Sequence, residues 1–271
     1  MSATTYQTFF GLQRQPFVAD LDREHILETE DLLAAADRLQ YAIGLGAIAL
    51  VTGEVGSGKS TALRWAAGRL HPSKHRVLWV TATAGSILEF YRQLLAELDI
   101  LTASSSRAVL TRLLKTQIAD LAKAKKVKPL LIVDEASLLR LDVFAELHTI
   151  TQFEGDSKPW LPIVLAGQSN LADNLLYRTA VPLASRIVAR YHFHAVNREA
   201  MERYLLHHLT IAGLKHNPFD DAAITAIHQG AGGLFRTANH LARGALIAAA
   251  GEKSQTVTAD HVRLAASELL L

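Results

Sequence analysis

Gly53-Glu54-Val55-Gly56-Ser57-Gly58-Lys59-Ser60 follows directly on the apolar run 47–52 and precedes a stretch with helical periodicity. The spacing is G-x-x-x-x-G-K-[ST], and a strand before and a helix after is the context this pattern requires. Glycines let the backbone wrap closely around a polyphosphate, so that its N–H groups and the following helix N-terminus face the oxygens. Lys59 then reaches the β and γ phosphates, and Ser60 presents a hydroxyl to Mg²⁺. Gly53, Glu54, Val55, Gly56, Ser57, Gly58, Lys59, Ser60 and the adjoining Thr61 are therefore the candidate nucleotide-binding residues.

Four further short apolar, β-branched-rich runs, 77–81, 130–134, 162–166 and 187–194, are predicted strands. The first four of the five are nearly continuous in hydrophobicity, as parallel strands buried on both faces should be, and helical patterns separate them. Apolar stripes at Ile87, Phe90, Tyr91, Leu94, Leu95 and Leu98, and at Leu110, Leu113, Leu114, Ile118 and Leu121, mark two of those helices. Ser104-Ser105-Ser106, between the stripes, reads as turn and helix cap. Beyond His194 only helical segments follow, at 197–212, 220–229, 234–250 and from Thr258, with Gly213, Gly230 and Gly251 as predicted stops. The fold class is thus α/β, a parallel P-loop sheet flanked by helices over 1–195, with a small all-helical lid over 196–271.

Composition supports two globular units. The chain has 271 residues with 49% hydrophobic and 20% charged, which excludes disorder, and a length suited to about two domains. No apolar window approaches the roughly 18 residues of a spanning helix, and MSATTYQTFF lacks a secretion signal's basic start and apolar stretch. With no Cys, no disulfide framework is available, and the expected compartment is the cytoplasm. A net charge of +2 leaves nucleic-acid binding to local clusters rather than to the whole chain. The twelve His lack an H-E-x-x-H pattern, so no zinc site is predicted.

The second chemical signal is Leu130-Leu131-Ile132-Val133-Asp134-Glu135, an apolar strand ending in two carboxylates. In open parallel sheets ligands sit at the carboxyl ends of strands, so Asp134 falls where a Mg²⁺ shell needs an acceptor. Glu135 falls where a carboxylate can orient the water that attacks the γ-phosphate. Gln168, in the Gly167-Gln168-Ser169-Asn170 turn after the fourth strand, is placed to sense that phosphate or its water.

Walker A, Walker B, the polar residue after the fourth strand, Pro182-Leu183-Ala184-Ser185-Arg186 and a helical lid together resemble a AAA+ ATPase. The Pro-Leu-Ala-Ser-Arg stretch is similar to one in clamp-loader and initiator subunits, which implies Arg186 as a finger reaching a neighbouring subunit's γ-phosphate, with Arg190 as second candidate. Gly232-Gly233-Leu234-Phe235-Arg236 resembles the sensor 2 stretch, which implies that Arg236 contacts the nucleotide from the lid; Phe235 stands where the family often has Pro. The resemblance implies ATP and Mg²⁺ as cofactors and a nucleotide seated between sheet domain and lid.

Phe9-Phe10-Gly11-Leu12 with Pro16-Phe17, Ala166-Gly167-Gln168, and Arg186-Ile187-Val188-Ala189-Arg190-Tyr191 look like the ExeA/GspA-type ATPases, a branch that includes TniB- and TnsC-like transposition regulators. By that resemblance Phe10 and Phe17 lie near the adenine pocket, either to contact the base edge or to hold the N-terminal segment down, with core packing the stronger reading for Phe17. The implied role is an ATP-dependent regulator of transposition that forms a ring or helical oligomer on duplex DNA and communicates with a transposase. Secretion-associated members carry a membrane span and a cell-wall-binding region after the ATPase, and a chain ending at Leu271 leads to the expectation of the transposition role. A secretion-associated ATPase, or a nucleotide-gated scaffold with little hydrolysis, are the alternatives. The basic residues Lys123, Lys125 and Lys126, with Arg107, are candidate DNA contacts, because a few cations per subunit multiply across an assembly.

Overall fold

A computed structural model describes residues 3–269, which divide into two compact units. One comprises Glu28–Gly53 and Lys59–Phe193; the other comprises the residues up to Leu27, Glu54–Gly58 and the residues from His194. The chain opens with α1 (Ala3–Phe10).

The first-named unit is built on five parallel strands in the order β2-β3-β4-β1-β5: β1 (Ile48–Gly53), β2 (His75–Thr81), β3 (Lys128–Asp134), β4 (Ile163–Gly167) and β5 (Ile187–Phe193). Its helices are α2 (Glu30–Leu45), α3 (Lys59–Ala67), α4 (Ile87–Ala96), α5 (Arg107–Lys123), α6 (Leu141–Thr151), α7 (Asn170–Asn174) and α8 (Val181–Ala184). Every residue of β1 and β4, and all of β3 beyond Lys128, is buried, as strands sandwiched between helical layers must be. Ser86 caps α4 through a capping box with Glu89, and the stripe Phe90, Tyr91, Leu94 and Leu95 turns inward onto the sheet core. Neighbouring β1 and β4 send their connections toward opposite edges of the sheet, which opens a crevice at their carboxyl ends.

The helical unit holds α1 with α9 (Arg198–Ile211), α10 (Asp221–Ala231), α11 (Phe235–Gly251) and α12 (Ala259–Ser267). Asn197 and Asp220 cap α9 and α10 by accepting from the N–H groups of Ala200 and Ala223. The predicted stop at Gly230 lies inside α10; the helix ends instead at Gly232, whose φ of 57° supplies the left-handed C-cap. Gly251, also a predicted stop, is the last residue of α11.

The N-terminal residues pack with these helices rather than with the sheet, where a boundary at residue 195 puts them. Tyr6, Phe10 and Phe17 are buried in a cluster with Leu205, Leu209 and Phe219, and the Gln13 N–H donates to the Ala212 carbonyl at 2.8 Å. Three large aromatic side chains bury more apolar area there than a sheet-edge position would offer. Among the described residues, no helix is long and apolar enough to cross a membrane.

Candidate functional site

The carboxyl ends of the central strands bring the two predicted motifs to one edge. Thr52 of β1 pairs with Gly167 of β4, and Asp134 ends β3, so Gly53, Asp134 and Gln168 all leave the sheet on the same side. Lys59 opens α3 immediately after the loop. Its side chain is buried, 6% exposed, and its Nζ donates to the Gly53 carbonyl at 2.8 Å. A buried ammonium held so close to a helix N-terminus favours an anion beside it.

The loop itself needs glycine at two positions. Gly56 has φ +85°, and a Cβ there would lie 2.7 Å from the Arg236 Cβ; Gly58 has φ +99°. The Arg236 N–H donates to the Gly56 carbonyl at 3.3 Å, which sets the first turn of α11 against the loop. Phe235 lies beside Gly58. Ser57 Oγ is buried with no hydrogen-bond partner among the described residues. An orphaned hydroxyl in a glycine cradle, with an ammonium at its end, fits a polyphosphate, whose oxygens would satisfy donors the protein leaves open.

Asp134 is 8% exposed, and its Oδ1 accepts the Glu135 N–H at 2.9 Å. Glu135 takes φ 53°, ψ 32°, the left-handed region, and starts the short 3₁₀ turn Ala136–Leu138. Left-handed backbone at a non-glycine residue costs roughly 1 kcal/mol or more, a cost that clusters at functional positions. The sequence pattern placed this residue without revealing its backbone.

Sequence reasoning also missed Ser137 and gave His192 no role. Ser137 Oγ accepts the Gln168 N–H at 3.4 Å, and a Cβ on Gly167 would meet the Ser137 nitrogen at 2.8 Å, so the Asp134–Glu135 turn and the Gln168 loop touch. His192 Nδ1 shares a hydrogen bond of 2.9 Å with Thr52 Oγ1, one residue before the loop. A small residue three positions after Asp134 was the one signal available for Ser137.

Arg186 precedes β5 at the opposite end of the sheet: its carbonyl accepts from Ile48, the first residue of β1. Six residues of strand, roughly 20 Å, separate it from Gly53. Its Nε donates to His148 Nδ1 at 3.1 Å and its Nη2 pairs with Asp156 at 2.5 Å. The hydrogen bond from Arg186 pulls the exposed Asp156 carboxyl below its ordinary range, whereas burial and then the Arg186 charge push the His148 imidazole down. Arg190 is exposed on β5, opposite Leu50.

Phe17 requires a correction. It is 2% exposed, stacked on His208 with ring centroids 5.5 Å apart and edged against Phe219, so it is a core side chain and presents no face to an adenine. Phe10 is likewise buried. Three of the four predicted DNA contacts are tied within the chain: Arg107 to Glu146, Lys123 to Glu154, and Lys125 to Asp120. Glu146 and Glu154 lie more than thirty positions from their partners, beyond what a run of basic residues reveals, whereas Asp120 sits five positions before Lys125. Lys126 is exposed, with φ 54°.

Residues 44–175 match the family model of the AAA domain. In solved structures the chain superposes on the Cdc6p protein of Pyrobaculum aerophilum with a TM-score of 0.73 at 16% identity, over 94% of this chain and 70% of that one. The fold is a P-loop AAA+ fold. The Aeropyrum pernix ORC1 protein in complex with DNA gives a TM-score of 0.69 at 17% identity, over 93% and 68%. In sequence, General secretion pathway protein A of Aeromonas hydrophila is 29% identical over 97% of this chain. The chain spans about half, 48%, of that relative's length.

Proposed function

We propose that this AAA+ fold binds Mg-ATP at Gly53–Ser60 and hydrolyses it within an assembly of several copies. The observation that carries the reading is the buried Lys59 ammonium, two residues after the orphaned Ser57 hydroxyl, with the Asp134–Glu135 pair on the sheet edge where β1 ends. Lys59 and the loop N–H groups hold the phosphates, with Thr61 just behind them. Ser60 and Asp134 would hold a magnesium ion, which when bound would offset the charge that develops on the phosphates. Glu135 orients the attacking water, and Gln168, linked through Ser137 to the Glu135 turn, reads the γ-phosphate. Arg236, whose backbone is fastened to Gly56, is the contact from α11.

Arg186 belongs to the neighbour's reaction. A strand's length from its own loop, it serves phosphate only in a second copy, and Asp156 and His148 hold its guanidinium until that copy arrives. Positioned cationic fingers of this kind are worth ~10³–10⁵ in turnover. Arg190 is the second candidate for the finger.

In the proposed setting the chain regulates DNA transposition in the cytoplasm, assembling on duplex DNA with ATP and communicating with a transposase. Support comes from the motif resemblance and from a fold shared with a protein solved on DNA. A second reading, a secretion-associated ATPase, is favoured by the match to General secretion pathway protein A along 97% of the chain.

Calorimetric titration of Mg-ATP tests the chemistry: the natural chain should release heat on binding, and Lys59→Ala should bind at least tenfold more weakly. Equal binding by the variant would reject the site. Phosphate release with and without nonspecific duplex then separates the settings. Stimulation by DNA supports transposition, and indifference to DNA across a low-salt series favours secretion.

A further inference from the structure

A groove of about 700 Å³ runs between α5 and α6, lined by Arg107, Arg112 and Lys115, by the hydroxyls of Thr111 and Thr116, and by Glu146. Three cations face one carboxylate, and that carboxylate is already committed. Glu146 is buried, accepts from the Tyr91 hydroxyl at 2.5 Å, and pairs with Arg107. Removing Arg107 from it would leave a buried charge unpaired, so Arg107 is structural. Arg112 differs. It is exposed and makes no ion pair or hydrogen bond among the described residues. Lys115 spends one of its three donors on the Gln152 carbonyl at 2.9 Å.

Arg112, Lys115 and Thr116 stand at i, i+3 and i+4, and therefore share one face of α5. An unspent guanidinium, an ammonium with two donors left and a hydroxyl are a side-chain set that contacts phosphodiesters. The groove lies open to solvent, which suits a polymer passing across it better than an enclosed metabolite. No aromatic side chain lines it to stack on an unpaired base, and Ala108 is its one wholly apolar lining residue, too small to enter a bilayer.

We propose that the α5–α6 groove is the chain's contact with the sugar-phosphate backbone of duplex nucleic acid, made by Arg112, Lys115 and Thr116. This rests on the DNA-dependent reading above and replaces its basic-run candidates. One such contact per copy is weak, and an assembly sums it along the duplex. Backbone contact carries no base information, so binding is indifferent to sequence and steeply salt-dependent.

The test uses the full chain with Mg-ATP and a fluorescent 30-base-pair duplex of mixed sequence, read by anisotropy across a salt series. Arg112→Glu should bind at least tenfold more weakly and lower the salt slope by about 1 per copy. Arg112→Lys should keep most of the affinity, and DNA-free phosphate release should be unchanged in both. Lys253→Glu, the same charge change at an exposed position of the helical unit, controls for net charge. If Arg112→Glu and Lys253→Glu behave alike while the natural chain binds duplex, the groove assignment is wrong and the DNA reading stands. If the natural chain binds no duplex even at low salt, the DNA reading itself falls and the groove with it. Capture by anionic phospholipid vesicles that depends on Arg112, without duplex binding, also overturns the proposal.

Discussion

Glu135 occupies backbone that only glycine adopts freely, and its carboxylate is the one proposed to orient the attacking water. Comparing two truncations exposes that cost. In a helix, alanine outperforms glycine, but at φ 53° the order should reverse, with Glu135→Gly more stable than Glu135→Ala by about 1 kcal/mol. Urea denaturation measures the difference, and equal midpoints would mean the turn relaxes at no cost. His208 gives a second test at this scale. Burial, with a smaller push from His207, lowers its pKa to about 4, against about 6.5 unfolded. Because the folded value is depressed, the unfolded chain takes up more protons between those values. Stability contributed by the neutral ring is therefore present above about pH 6.5 and lost as pH falls toward 4, by up to about 3 kcal/mol. Thermal melts at pH 7 and pH 5 should show a smaller drop for His208→Leu than for the natural chain; identical drops would place the acid sensitivity elsewhere.

At the scale of elements, the segment β1–loop–α3 carries the tightest steric demand. Gly56→Ala puts a Cβ 2.7 Å from the Arg236 Cβ in left-handed backbone, so it should push α11 off the loop. We expect a loss of about 1–3 kcal/mol in stability and at least a tenfold weaker nucleotide affinity, measured by melting with and without Mg-ATP. A variant that melts and binds like the natural chain would refute the close approach. The strands were legible because continuous Ile, Val and Leu runs have no alternative that buries them, and the helix starts were legible because Asn197 and Asp220 accept locally. The place of Phe17 was not legible: its partners His208 and Phe219 lie almost two hundred positions away or more, and periodicity carries no such information. The same holds for Arg107 and Glu146, and for Ser137 beneath Gln168. Gly232 rather than Gly230 ends α10 because the hydrophobic face runs on through Ala231, whose burial repays another half turn.

Across whole molecules, the decisive distance is the length of β1, which separates Arg186 from the loop of its own chain. Mixing Lys59→Ala chains with Arg186→Ala chains should therefore restore part of the activity each lacks alone, since some junctions then pair an intact loop with an intact arginine. Co-assembled mixtures that stay inactive would count against the shared site.

The account turns on Glu135 activating water at a loaded loop. Steady-state phosphate release under saturating Mg-ATP, measured for the natural chain and for Glu135→Gln, tests it most directly. The account predicts a fall of at least about a hundredfold with nucleotide affinity retained. Unchanged turnover in the variant, or no phosphate release from the natural chain under any assembly condition, would contradict it.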